Sequence, residues 1–290
     1  MNRSIVFAVI LFTGGPASAG LVITNSVDNY SPNQSKPQHC IEKTYIEGKM
    51  MRSESQCSGG QGPRDTQPLM ILRADKKLLW TVDPKTGRYS EITQDQMNSA
   101  VAIMKEEKAK AAKQWDEAYA KMSPEERRQM QNVGDTLKNI GLGDYYTQGP
   151  SAPAKHEYVR THEVWTVSGR SCQVFQHIDN GMAINKVCTT KDSGEYSWAR
   201  DFREMHGIMA SLTGAMTEDI KADELAQQKA MGDARYILKD VVSVRGKPVT
   251  VREFAGVKQQ SLAASLFQLP AGAVKNDEPW NIRQTAKVQP

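Results

Sequence analysis

The chain has little of what a membrane span, a nucleotide enzyme or a redox centre requires. Beyond the first dozen residues no apolar run approaches the roughly 20 residues that a transmembrane helix needs. There is no glycine-rich phosphate loop and no dinucleotide fingerprint. No two cysteines stand at the short spacing of a zinc knuckle or a redox pair, which excludes both. Charge of one sign is also lacking: 37 basic residues face 33 acidic ones across 290 positions, a net charge of +4. So small and evenly spread an excess argues against nucleic acid as a partner. Even the basic-looking run from Lys105 to Lys113 holds Glu106 and Glu107 and reads as a solvated helix face.

The N-terminus does carry an apolar run. Met1-Asn2-Arg3 precedes Ile5 to Phe12, a Gly14-Gly15-Pro16 break and Ala17-Ser18-Ala19. Charge, a short apolar core and small residues, in that order, predict a secretory signal peptide over 1–19, cleaved after Ala19. No cysteine follows the cut, so a lipid anchor is not expected there. The expected location is the periplasm, with no transmembrane segment left after cleavage.

All four cysteines, Cys40, Cys57, Cys172 and Cys188, lie beyond that cut, an even count in an exported chain, which predicts disulfides. Turn positions choose the pairing. A two-residue turn at Gly48-Lys49 sets Glu47 opposite Met50 and, counting outward, Cys40 opposite Cys57 at a closely spaced pair. Asp179-Asn180-Gly181 reads as a three-residue hairpin loop with a bulge, setting Ile178 opposite Met182 and Cys172 opposite Cys188. Parity places the second pair at a hydrogen-bonded position, a poorer seat for a bridge.

The remaining pattern alternates between strand and helix periods. Leu69 to Ala74, Leu78 to Val82 and Arg88 to Ile92 are short strands, the last two joined through Asp83-Pro84-Lys85-Thr86-Gly87. After Thr93 the spacing of Met97, Val101, Met104, Ala111, Trp115, Tyr119 and Met122 predicts a long helix with one apolar stripe. Ser123-Pro124-Glu125-Glu126 caps a second helix, which Gly141 ends. Gly149-Pro150-Ser151-Ala152-Pro153 reads as a loop between two halves of one sheet. Trp198, Phe202, Met205, Met209 and Leu212 predict a further helix. A type II′ turn at Gly246-Lys247 predicts a hairpin with Arg245 opposite Pro248. Its buried face is expected to hold Tyr236, Leu238, Val242 and Val244 with Val249, Val251, Ala255 and Val257. Thr250 and Arg252 are expected on the wet side.

Several of these segments resemble a known family. Lys77-Leu78-Leu79-Trp80, Arg88-Tyr89-Ser90-Glu91-Ile92, Ser123-Pro124-Glu125-Glu126-Arg127-Arg128 and Ser265-Leu266-Phe267-Gln268-Leu269-Pro270-Ala271-Gly272 resemble a bacterial periplasmic family of unknown function. Its fold is similar to the lipoprotein carriers of the Gram-negative periplasm (LolA/LolB-like). The resemblance covers most of 36–273 and implies an α+β fold, a curved antiparallel sheet or incomplete barrel covered by helices. One domain over 20–273 is expected, with helical insertions at about 94–141 and 197–232 and a flexible tail over 274–290. No catalytic residue carries over.

Catalytic chemistry is not expected. His156-Glu157 and His162-Glu163 suggest a zinc protease motif, but the histidines stand six apart where the motif needs four, so no metal is expected. Gly169-Arg170-Ser171-Cys172-Gln173 lacks the second glycine of a hydrolase elbow. No cofactor is expected. The stripe Met97, Val101, Met104, Trp115 and Tyr119 is the candidate lining of an apolar cavity, since flexible thioethers suit an adaptable site. The expected function is a periplasmic binding protein that holds a lipid, an acyl chain of a lipoprotein or another apolar ligand, and not an enzyme. The alternative is a structural or interaction protein with a filled core that works through a periplasmic protein partner.

Overall fold

The computed structural model describes residues 19–31, 36–58, 68–139, 155–190, 198–212, 218–232, 236–244 and 246–276. The signal segment before Ala19 and the 149–153 loop lie outside them. The fold is α+β, built on one open 12-stranded sheet. Its first half runs β1 (Gly20–Asn29), β2 (Gln38–Glu47), β3 (Met50–Ser58), β4 (Leu69–Arg73), β5 (Leu78–Val82) and β6 (Arg88–Thr93), each pairing antiparallel with the next. Helices α1 (Gln94–Lys121) and α2 (Pro124–Asn139) follow. The second half is β7 (His156–Val167), β8 (Arg170–Asp179) and β9 (Met182–Thr189), then helices α3 (Trp198–Leu212) and α4 (Glu218–Met231), then β10 (Ile237–Val244) and β11 (Lys247–Gln260). The two halves join where β1 pairs with β11. At the far edge Val274–Lys275 forms β12, which lies parallel to β6 and sets Lys275 Nζ 2.8 Å from Glu91.

Local chemistry explains most element ends. Thr93 and Gln96 form a reciprocal capping box at the start of α1, as do Ser123 and Glu126 at α2, where the Ser123 amide donates to Glu126 Oε2 at 2.7 Å. At the far end of α1 the Arg127 guanidinium donates to the Tyr119 and Ala120 carbonyls and lies 5.1 Å from the Tyr119 ring, which closes the α1–α2 hairpin.

Both disulfides form as expected: Cys40–Cys57 and Cys172–Cys188. Glu47 faces Met50 and Cys40 faces Cys57 with their Cα atoms 3.9 Å apart. The second hairpin departs from its expected register. Asp179 faces Met182 across a two-residue turn in which Asn180 and Gly181 have φ of 49° and 82°, the left-handed pair of a type I′ turn. A bulge beyond Ile178 then sets Val174 opposite Cys188, so Cys172 reaches Cys188 diagonally across 5.6 Å. The last hairpin is shifted too. Val244 faces Lys247, a bulge follows Val242, and Asp240 faces Arg252. The core residue of β11 is therefore Phe254, 2 % exposed, on the face of Thr250 and Arg252 that the sequence placed in water. Val244 stands 57 % exposed.

The main core lies between the sheet and the bases of α1 and α3. Ile23, Leu72, Leu79, Leu238 and Phe254 from the sheet meet Met97, Ala100, Trp198, Ala199 and Met205. Trp198, Tyr236 and Phe254 form an aromatic cluster with centroids 4.8 to 5.9 Å apart. The other face is closed locally: the turn Ala264–Phe267 packs Phe267 against Val22 and Leu262, and Arg52 and Arg73 donate to the Leu266 and Phe267 carbonyls.

Candidate functional site

Two features stand out where α3 and α4 cover the second half of the sheet. The first is a cleft of about 600 Å³ between these helices, floored by the ends of β9 and β10. Phe202, Met231, Tyr236 and Ile237 supply its mainly apolar wall, and Arg200, Arg203 and His206 add polar groups. Phe202 packs on the His206 ring at 4.3 Å and edge-on to Tyr236 at 5.4 Å, so α3 is held over β10 by stacked rings. The Tyr236 hydroxyl approaches Asn25 Oδ1 at 3.4 Å, and burial pushes its pKa up.

His206 is shielded on this wall. Burial, together with the Arg252 charge, lowers its pKa from 6.5 to about 4. The folded protein therefore leaves His206 neutral down to about pH 4, while the unfolded chain takes up the proton from about 6.5, so stability falls as pH falls through that window. With its partial exposure allowed for, the expected loss between pH 7 and pH 4.5 is on the order of 2 kcal/mol. Urea midpoints at the two pH values check this, since His206→Gln should flatten the slope by that amount.

The second feature is a polar row that crosses the sheet from strand to strand. Arg252 on β11 pairs with Glu42 of β2 at 2.9 Å and faces Asp240 across the β10–β11 ladder. Asn185 of β9 donates from Nδ2 to Asp240 Oδ1 at 2.8 Å and meets His177 Nδ1 of β8 with its Oδ1 at 2.8 Å. His177 Nε2 lies 3.1 Å from Asp223 Oδ1, and the Tyr158 hydroxyl donates to the same oxygen at 3.0 Å. Asp223 reaches the row because it shares the inward stripe of α4 with Ala226, Ala230 and Met231. Tyr158 stacks on His177 at 4.3 Å, nearly parallel, and fixes the imidazole plane. His156, two residues along β7, lies diagonal to His177 with its Nδ1 3.8 Å from Asp223 Oδ1.

The row is shaped electrostatically by burial and by its own members. Burial raises the Asp240 carboxyl, only partly offset by the Asn185 hydrogen bond. Burial alone would also raise Asp223, but the neighbouring His177 ring, the Tyr158 hydroxyl and the His156 ring outweigh it and hold that carboxyl low. The Tyr158 hydroxyl is driven well above its usual range, first by burial and then by the Asp223 charge.

The sequence-predicted residues fall elsewhere or in new company. Met97 is buried in the main core and Val101 packs against it, whereas Trp115 and Tyr119 are half-buried farther along α1. The Met104 side chain lies outside the described residues. None of the other four lines the α3–α4 cleft. The four cysteines are bridged and buried or half-buried. His156 and His162 do not meet: His162 is exposed in the bulge between Arg160 and Val164, where Glu163 pairs with Lys186. The partner of His156 is His177, 21 positions on, and the only signal for it in the sequence was the alternation of both strands about the Asp179–Met182 turn.

No family model matches this chain and no curated protein matches it. Among solved structures it is similar to MucB in complex with MucA(peri), at 8 % identity and a TM-score of 0.33, covering 88 % of this chain and 56 % of that one. It is also similar to PNGF-II, at 10 % identity and a TM-score of 0.31, covering 90 % of this chain and 31 % of that one. The chain thus spans about half and about a third of the lengths of these proteins. At such distance nothing of what they bind is carried over.

Proposed function

We propose that this chain is an exported binding protein of the periplasm that holds an apolar ligand, a lipid or the acyl chain of a lipoprotein, in the cleft between α3 and α4. The observation behind this reading is the cleft itself. Its volume of about 600 Å³ falls in the range of small-molecule sites. Its wall is mainly apolar, which suits a hydrocarbon chain at about 0.8 kcal/mol per methylene buried. Arg200 and Arg203 share the lining with Glu204 and Glu224, so a polar headgroup would meet donors and acceptors alike. Two disulfides suit an oxidising compartment, as the N-terminal signal pattern does. The reading gives the protein no turnover of its own: the chain binds and releases.

Gly207 makes the reading testable without damage to the core. It lines the cleft from α3, and a Cβ built there meets no atom within 4 Å. A Gly207→Leu side chain would fill the cleft and replace a poor helix former with a good one. The variant should keep or gain stability yet bind a fluorescent fatty acyl probe at least about tenfold more weakly than wild type, a loss of roughly 1.4 kcal/mol. Equal binding by both proteins would remove the cleft from consideration.

One observation favours a second reading, an interaction protein with a filled core: under the base of α1 the sheet is packed solid, with Met97 2 % and Ala100 4 % exposed. That reading stands if wild type takes up no probe at all.

A further inference from the structure

We propose that His156, His177 and Asp223 form a zinc site that clips α4 onto the sheet. The donor atoms of the three residues lie within 4.8 Å of one another. Tetrahedral zinc with bonds near 2 Å sets its ligand atoms about 3.3 Å apart. Asp223 Oδ1 stands 3.1 Å from His177 Nε2 and 3.8 Å from His156 Nδ1, so a small adjustment of side chains brings all three to an ion.

The hydrogen bonds around the histidines point the same way. The Asn185 amide gives its Nδ2 protons to the Asp240 carboxylate, which leaves Oδ1 for His177. An acceptor at that position makes His177 Nδ1 the protonated nitrogen, so in the neutral ring Nε2 presents a lone pair toward Asp223. A ring nitrogen and a carboxylate oxygen 3.1 Å apart need a positive charge between them, and a metal ion on Nε2 supplies it in place of a ring proton. His177 Nε2 and both ring nitrogens of His156 are buried without a hydrogen-bond partner, and their side chains are 8 % and 10 % exposed. Unmade hydrogen bonds at three ring nitrogens are costly in a folded protein, and coordination removes the cost for two of them. The Asn185–Asp240 relay behind His177 is the outer-shell support that ligating histidines commonly have. Asp179 lies outside this set of three but borders it: its Oδ1, also buried and without a hydrogen bond, is 3.6 Å from His156 Nδ1. Two imidazoles and carboxylate oxygen suit zinc better than the hard, all-oxygen preference of calcium or magnesium.

The site joins elements distant in sequence. His156 and His177 come from neighbouring strands at the sheet edge and Asp223 from α4, whose next residue, Glu224, already lines the ligand cleft. An ion here anchors one wall of the cleft to β7 and β8, and it does so whether or not the cleft takes a lipid.

Untagged protein, stripped with chelator and dialysed, should bind one zinc ion with submicromolar affinity in a competition titration, and its cobalt(II) form should show the intense visible absorption of a tetrahedral site. His177→Gln and Asp223→Asn should each weaken zinc binding by at least about tenfold and abolish the cobalt spectrum. His162→Ala, which changes an exposed histidine of the same strand, should leave both unchanged. Far-ultraviolet circular dichroism and urea midpoints on the metal-free variants separate ligand loss from misfolding, and Asp223→Asn is close in shape to the native side chain. The proposal is overturned if wild type binds zinc only at high micromolar concentration, or if folded His177→Gln and Asp223→Asn bind it as tightly as wild type.

Discussion

Phe254→Ala is expected to cost about 3–5 kcal/mol, the largest effect of any single substitution considered for this protein. The ring is 2 % exposed and lies 5.9 Å from the Trp198 ring and 5.4 Å from Tyr236. Trp198 opens α3, and Tyr236 leads into β10 while lining the cleft. Truncation therefore empties the contact that seats α3 on the sheet, and neither the rigid ladder below nor the stacked rings above can collapse to fill it. The check is an equilibrium urea titration with Phe254→Leu as the volume-conserving comparison, expected to lose less than half as much. A cost below about 1 kcal/mol for the alanine variant would mean that α3 is held by something else. Acyl probe binding by the folded fraction gives a second readout, because a loosened α3 widens the cleft.

Removing the Cys172–Cys188 bridge by a double Cys→Ala substitution should cost about 3 kcal/mol, as expected for a cross-link closing a loop of about 15 residues. The two cysteines are 16 positions apart, and their side chains sit in the main core, 2 % and 0 % exposed. The bridge ties β8 to β9 at the end of their ladder away from the turn, with the bulge that shifts their register lying between the bridge and the turn. Without it the hairpin is freer to slip, and a slip of one residue would turn His177 away from Asn185 and Asp223. The double variant should thus lose both stability and zinc affinity, whereas removal of Cys40–Cys57, between β2 and β3 in the first half of the sheet, should lower stability and leave zinc binding intact. Denaturation with and without reductant, followed by the same zinc titration, distinguishes the two.

Much of the architecture was legible because it is written locally. The capping box at Ser123 and Glu126, the turn at Gly48-Lys49 and the period change after Thr93 each act within a few residues, and all three stand in the structure as the sequence predicts. The cysteine pairing was equally accessible, since each bridge spans one hairpin. Strand β1 was not read as a strand, although Leu21, Ile23 and Val27 alternate toward the core along it; its role as the seam of the sheet depends on β11, more than 200 residues away. Shifted turns and bulges together account for the errors of register: Asp179 pairs with Met182 and Val244 with Lys247, and beyond each turn comes a bulge. Each bulge inserts one residue, which no turn signal announces, and reverses the facing of everything beyond it. Phe254 came inside for that reason.

The sequence alone determined the α+β class, the hairpins, the helices and the bridges, because turn chemistry, caps and hydrophobic period are short-range forces. Tertiary structure alone decided the candidate sites. The α3–α4 cleft is lined by residues of two helices and the ends of β9 and β10, and His156, His177 and Asp223 meet only because a diagonal across β7 and β8 lies under one inward turn of α4. His156 has no sequence neighbour that reveals its partners, since those partners are set by strand register and helix docking, which depend on the packing of the whole core.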